Sequence, residues 1–272
     1  MEHKTLSQKR QRTRIFQAQM AVRKFFLVVL GMCSVMMPAW ANGAYGVREW
    51  SAYEWTHGSN LEDIRSIASI TKLFTALAVV QSEVDLKEAV PVKGNVSGRF
   101  PMGTKVPRIE LLRATLISSD NRAAESLAHA HPGGRQQLLT DIQSMIEFLS
   151  LKNTKIVDPT GLNAGNVSTI EDLTNFMFYL RNNHTIRSIS AERLHETKIA
   201  TKGQKTVKIV LRNTNPAVFT YDNILVSKTG TTNAAGKCVA MLVEKDEELF
   251  AIVVLGQKNA KERQMIVQEL MK

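Results

Sequence analysis

Apolar residues crowd segment 70–81 on every side of a helical wheel, which predicts a buried central helix. Segments 109–117 and 122–130 predict two more helices, joined at Ser118-Ser119-Asp120. Segments 136–151 and 169–182 read as two further amphipathic helices. The pattern then changes. Segments 206–211, 224–228, 236–244 and 248–255 are rich in β-branched residues and bounded by turn signals. Lys245-Asp246-Glu247 predicts a tight hairpin between the last two. Segment 47–55 is weakly strand-like, and a closing helix is expected over 260–272. This order predicts an α+β domain whose antiparallel sheet is built from both chain ends, with a helical subdomain, roughly 73–200, inserted between them. An active site is expected in the cleft between sheet and helices.

The N-terminal stretch carries a different signal. Arg23 and Lys24 flank an apolar run over 25–37, and Ala39-Trp40-Ala41 is a small-x-small cleavage site. That pattern predicts a secretory signal over 1–41, with a mature catalytic domain over 42–272. The run is shorter than the roughly 20 residues of a membrane span. An uncleaved anchor and a buried helix are the alternatives, and Met20 offers a second start that gives a more usual signal length. Met32, not a small residue, precedes Cys33, which argues against a lipoprotein.

The formal net charge of +10 suggests nucleic acid until its position is considered. Residues 1–41 hold seven Lys or Arg and one acid, which leaves 28 basic and 24 acidic residues in 42–272, a net of +4. No interleaving of aromatic and basic residues accompanies it, so no nucleic-acid partner is expected. The export signal places the protein outside the cytoplasm: secreted, periplasmic or in the cell wall. With 44% hydrophobic and 22% charged residues the chain is long enough to fold without metal or disulfide. Cys238, the one cysteine beyond the signal, lies in an apolar strand-like run and reads as a packed residue, not a catalytic thiol. His129-Ala130-His131 precedes Pro132-Gly133-Gly134 and reads as a loop, with no carboxylate at zinc-helix spacing. No metal or other cofactor is expected.

Three short motifs carry chemistry. Ser69 and Lys72, in Ser69-Ile70-Thr71-Lys72, stand three apart on one face at the start of the central helix. Free N–H groups and the dipole at that helix end favour a developing oxyanion, and a lysine made neutral by burial or a nearby cation can take the hydroxyl proton. In Ser119-Asp120-Asn121 a hydroxyl and a carboxamide two residues apart can reach into a cleft together. Lys228-Thr229-Gly230-Thr231-Thr232, at the end of a strand, offers a cation, hydroxyls for a carboxylate, and a glycine that lets a substrate backbone approach. Each motif alone is also an ordinary helix cap or turn. Together they form the ordered set S-x-x-K, S-D-N, K-T-G of class A β-lactamases and penicillin-binding proteins.

On these motifs the chain resembles the low-molecular-mass penicillin-binding proteins, the serine-type D-alanyl-D-alanine carboxypeptidases and endopeptidases. The likeness extends to Asp158-Pro159-Thr160-Gly161-Leu162, Asn166-Val167-Ser168-Thr169 and Ala235-Gly236-Lys237-Cys238. It implies a β-lactamase/transpeptidase-like fold and peptidoglycan stem peptides as substrate, with β-lactam antibiotics as covalent ligands. It also implies roles: Ser69 as nucleophile, Lys72 as its base, Ser119 as proton relay to the leaving amine, and Asn121 as a substrate-positioning amide. Lys228, Thr229 and Thr231 would bind the terminal carboxylate, Gly230 would admit the substrate backbone, and the N–H groups of Ser69 and Thr231 would hold the oxyanion. Three departures stand out. The segment before Ser69 is short, so the first strands are expected to be clipped. Thr231 stands where relatives often carry a bulkier residue. The sequence ends soon after its last helix, without the C-terminal β domain and amphipathic anchor of longer relatives, so no stable membrane anchor is expected after cleavage. A β-lactamase is the nearest rival, but no E-x-x-L-N-like segment lies between Ser119 and Lys228, and Glu147 falls on an amphipathic helix. A catalytically silent wall-binding module is the rival of another class.

Overall fold

A computed structural model describes residues 43–200 and 206–272. The predicted signal over 1–41, with Met20 and Cys33, lies outside the described residues. The main sheet has the order β2-β1-β11-β10-β9 and is antiparallel throughout. It joins β1 (Ala44–Glu49) and β2 (His57–Ser59) from one end of the domain to β9 (Ile224–Thr232), β10 (Gly236–Lys245) and β11 (Glu248–Gln257) from the other. The expectation of a sheet built from both ends is met. The expectation of clipped first strands is not. β1 begins at Ala44, earlier than the pattern suggested, and pairs with β11 over its whole length, from Ala44↔Leu255 to Glu49↔Phe250. Segment 50–55 turns back instead of continuing the strand. Trp50 N–H donates to the Leu249 carbonyl and Ala52 N–H to the Glu49 carbonyl, and the Trp55 ring occupies the space a side chain at Gly46 would need.

The hairpin between β10 and β11 turns on Asp246 and Glu247, both with positive φ (53° and 65°). That is the twist-matched geometry of a two-residue turn. Asp and Glu there accept backbone strain that Asn-Gly would avoid.

Among the described residues six α-helices lie between β2 and β9: α1 (Thr71–Gln81), α2 (Arg108–Ile117), α3 (Asn121–His129), α4 (Gly134–Phe148), α5 (Ile170–Leu180) and α6 (His184–Ser190). Every residue of α1 from Thr71 to Val79 is buried, as its apolar circumference requires. Phe74 stacks on Phe176 of α5 with ring centroids 3.7 Å apart. Burying such a side chain contributes roughly 1.5–3 kcal/mol, so this helix is a fixed post against which the site is built. α6, at seven residues, is too short for its periodicity to have announced it. A closing helix, α7 (Ala260–Leu270), packs on β11.

One predicted strand is misplaced by the sequence reading. Segment 206–211 is β8 (Thr206–Arg212), and it does not join the main sheet. Among the described residues it pairs only with β7 (Leu194–Ala200), as a separate two-stranded ribbon on α2. β-branched content signals a strand but not its partner. Among the described residues two further strand pairings involve segments of two or three residues: β3 (Arg65–Ser66) with β6 (Val167–Ser168), and β4 (Ala89–Pro91) with β5 (Lys105–Pro107).

Candidate active site

Ser69 occupies a 3₁₀ turn, Ala68–Ile70, that runs into α1, so it stands just before the helix and not within its first turn. Ile67, Ala68 and Ile70 are buried while Ser69 is partly exposed, which presents the hydroxyl alone to the cleft. The turn is strained: Ala68 has φ +46°. Strain of that kind persists only where the surroundings over-determine it, and here two glycines do so. Gly161, with φ +83°, brings its backbone so close that a Cβ would stand 1.9 Å from the Ala68 carbonyl oxygen and 2.8 Å from the Ser69 nitrogen. Gly230 closes the other side: its Cβ would stand 2.7 Å from the Ile67 carbonyl oxygen. The sequence reading gave Gly230 to an approaching substrate backbone. The structure gives that space to the chain's own nucleophile turn.

Lys72 is fully buried, and its Nζ has three neighbours: Ser69 Oγ at 2.9 Å, Asn121 Oδ1 at 2.7 Å and the Thr160 carbonyl oxygen at 2.5 Å. The two carbonyl oxygens can only accept, so both take protons from Nζ. The remaining direction faces the Ser69 hydroxyl, which can donate or accept. Burial pushes the Lys72 pKa down to about 7, against the pull of Asp158 and Asp120. The ammonium and the neutral amine are therefore both accessible near neutrality, as a proton acceptor for a serine requires.

Ser119 lies in the link between α2 and α3 with φ +58°. Asp120 caps α3 by accepting from Ala123 N–H at 2.8 Å and also holds Arg99 N–H, which fixes the link. Asn121 begins α3; its amide nitrogen has only a long 3.3 Å contact to Ser97 Oγ. From the sheet, Lys228 donates to Ser119 Oγ at 2.8 Å and to the Thr229 carbonyl. Lys228 is buried as well. Burial lowers its pKa well below the usual range, reinforced by the charges of Lys72 and Arg263. The site resists holding two ammonium ions at once.

The structure thus brings Ser69, Lys72, Ser119, Asn121, Lys228 and Gly230 together from four elements. K-T-G lies within β9, not at its end, so side chains alternate across the sheet. Lys228 and Gly230 face the Ser69 turn. Thr229 faces the other way, with its Oγ1 2.6 Å from Thr214 Oγ1, and Thr231 is exposed further along the strand.

Two groups went unread as parts of the site. Asp158 is buried and accepts from Thr160 N–H, Thr160 Oγ1–H, Gly161 N–H and Asn163 N–H. That turn aims the Thr160 carbonyl at Lys72. Asn166 ties the same loop to the nucleophile side, donating to Thr71 Oγ1 at 2.9 Å and accepting from Ile67 N–H through its backbone carbonyl. Arg263 is the other. It is buried on the inward stripe of α7 with Ile266, Val267 and Leu270. A charge on an apolar stripe was the available signal. By contrast His131 is explained: it pairs with Asp141 at 2.6 Å, and Cys238 is wholly buried in β10.

The family model for D-alanyl-D-alanine carboxypeptidases matches residues 57–259, the span that holds all three motifs. A D-alanyl-D-alanine endopeptidase of Escherichia coli K12 is 34% identical over 80% of this chain and 72% of its own length. One from Pseudomonas aeruginosa is 33% identical over 79% and 71%. The crystal structure of the Streptomyces K15 DD-transpeptidase superposes with a TM-score of 0.77 at 23% identity, covering 84% of this chain and 94% of that one, a likeness of fold. The chain belongs to the D-alanyl-D-alanine carboxypeptidase family and is a serine DD-peptidase of penicillin-binding-protein fold.

Proposed function

We propose that Ser69 is the nucleophile of an exported DD-endopeptidase that opens D-Ala-to-diaminoacid cross-links of peptidoglycan. The observation that carries the site assignment is the setting of Lys72 Nζ. Two fixed acceptors take its two protons, and its third direction meets the Ser69 hydroxyl. In the neutral amine that direction is the lone pair, and the hydroxyl donates to it.

Ser69 Oγ attacks the D-Ala carbonyl carbon while its proton passes to Lys72. The tetrahedral oxyanion is held by the N–H groups of Ser69 and Thr231. As the C–N bond breaks, Lys72 gives that proton up to the leaving amine through Ser119, whose Oγ is held by Lys228. Water then attacks the acyl-enzyme ester and gives a proton to the neutral Lys72, which passes it to Ser69 Oγ as the ester bond breaks. β9 is the edge of the sheet, with β10 as its one strand partner among the described residues, so an extended peptide can lie along it. Asn121 amide N–H groups, Lys228 and the exposed Thr231 supply polar contacts.

Penicillin enters the same chemistry, because its strained lactam presents the same carbonyl. Asp158 is the acidic residue of the loop facing the site. Its oxygens are taken up by backbone N–H groups and a hydroxyl. That supports a slowly hydrolysed adduct over a β-lactamase. The endopeptidase reading draws on the curated relatives, which carry that name. Export rests on the signal-like pattern before Asn42, and among the described residues no helix is long and apolar enough to cross a membrane.

The test is to digest purified sacculi and a soluble pentapeptide in parallel. Loss of cross-linked dimers is expected. Release of free D-alanine alone, with every dimer intact, would make the protein a carboxypeptidase.

A further inference from the structure

The positive charge of the domain is concentrated in one stretch of sequence. Residues 42–272 carry a formal net of +4. Segment 194–212 holds five Lys or Arg against the single acid Glu196, also a net of +4, so the rest of 42–272 is balanced. Within that segment, Lys198 of β7 and Lys208 and Arg212 of β8 lie on the described strands of the ribbon.

The ribbon has a packed face and an outer face. Ile199, Ile209 and Leu211 are buried, while Lys198, Lys208, Val210 and Arg212 are exposed. Lys198 and Lys208 stand directly opposite one another in the register. Like charges at such a pair destabilise a sheet. Glu196 lies 2.8 Å from Lys208, but both side chains are more than half exposed, so that pair offsets little.

The base of the ribbon is anchored to the site. His195 lies between Glu110 of α2 (2.9 Å) and Glu192 (3.1 Å). Just past β8, Thr214 N–H donates to the carbonyl of Ile117, at the end of α2 before Ser119, and its hydroxyl meets that of Thr229. The chain leaving β8 at Arg212 therefore meets the K-T-G strand within two residues. Seven residues of strand extend about 23 Å, far beyond the reach of a penicillin or a dipeptide.

We infer that the outer face of the β7–β8 ribbon is a docking surface for an extended anionic strand, namely the carboxylate-bearing peptide of polymeric peptidoglycan whose scissile bond lies at Ser69. This rests on the substrate reading given above. The ribbon collects polymer by its field and aligns the chain with β9, and it leaves the chemistry of small acyl donors untouched.

The experiment compares wild type with Lys198→Glu/Lys208→Glu and the milder Lys198→Gln/Lys208→Gln. Each is given intact sacculi at about 0.02 and 0.3 M salt, where the Debye length is roughly 20 and 6 Å. Penicillin acylation and thermal melting are measured alongside. The charge-reversed variant should digest sacculi about tenfold more slowly at low salt, the size that electrostatic steering supplies, and the glutamine variant should lose less. Wild type should slow as salt rises while the reversed variant changes little. Acylation by penicillin should stay within about twofold and the melting curves should coincide. Equal digestion by all three would overturn the inference, as would a parallel fall in penicillin acylation. Unchanged digestion with increased aggregation would make the lysines guards of an exposed strand edge. Salt-sensitive retention on anionic phospholipid vesicles with unchanged digestion would give the face to a membrane instead. If wild type itself leaves sacculi intact but is acylated by penicillin, the substrate reading fails first.

Discussion

A Cβ on Gly161 would stand 1.9 Å from the carbonyl oxygen of Ala68, the residue before the nucleophile. The loop that begins at Asp158 thus forms one wall of the serine turn, and Gly230 of β9 forms the other. Ser69 is placed by backbone packing from two distant segments, not by its own helix.

Gly161→Ala should accordingly injure catalysis more than folding. The residue needs φ +83° and has no room for a methyl group. Backbone strain of this kind costs about 1–3 kcal/mol. Melting should fall by several degrees, and acylation by penicillin should slow by about a hundredfold or more, since a small displacement of a reacting atom costs on that order. Stopped-flow acylation and calorimetry on one preparation check both. A variant that melts early but acylates at the wild-type rate would mean that the wall does not position Ser69.

The pH dependence of acylation has a defined sign. The active form has Lys72 neutral, and its pKa is lowered to about 7, chiefly by burial. Acylation should rise with pH and level off above about 7. Asp158→Asn removes a charge that raises the Lys72 pKa and should shift this limb to lower pH. Acylation rates measured from pH 5 to 9 check this, and a limb that stays in place or moves to higher pH would contradict the electrostatic assignment.

Cys238 should be inert in the native protein. It is wholly buried in β10, and burial raises its pKa to about 11, so almost no thiolate exists at neutral pH. In a chain with Cys33 replaced by serine, a thiol reagent should label Cys238 only in denaturant. Rapid native labelling, or loss of activity on labelling, would reopen the catalytic-thiol reading.

The parts of this fold that were legible share a cause. Helix α1 announces itself because it is apolar all round, and the β10–β11 hairpin because two long β-branched runs flank a short polar turn. The three motifs were legible as residue types at fixed spacing. What stayed hidden is what spacing does not encode. β8 reads as a strand, but nothing local says that its partner is β7, whose alternating Glu196 and Lys198 hide its period. The Thr160 contact to Lys72 is made by a backbone carbonyl 88 residues away, and any residue type supplies one. Asp158 and Gly161 were visible as a family stretch, but their work on the Ser69 turn appears only when Ala68 is beside them.

The central claim is that Ser69 is acylated, with Lys72 as its base. Intact mass spectrometry after incubation with a fluorescent penicillin, followed by peptide mapping, tests it most directly. One adduct per chain is predicted, on the peptide containing Ser69. It should persist over hours, be absent in Ser69→Ala, and form far more slowly in Lys72→Ala. An adduct on another residue, or labelling that survives in Ser69→Ala, would contradict the account.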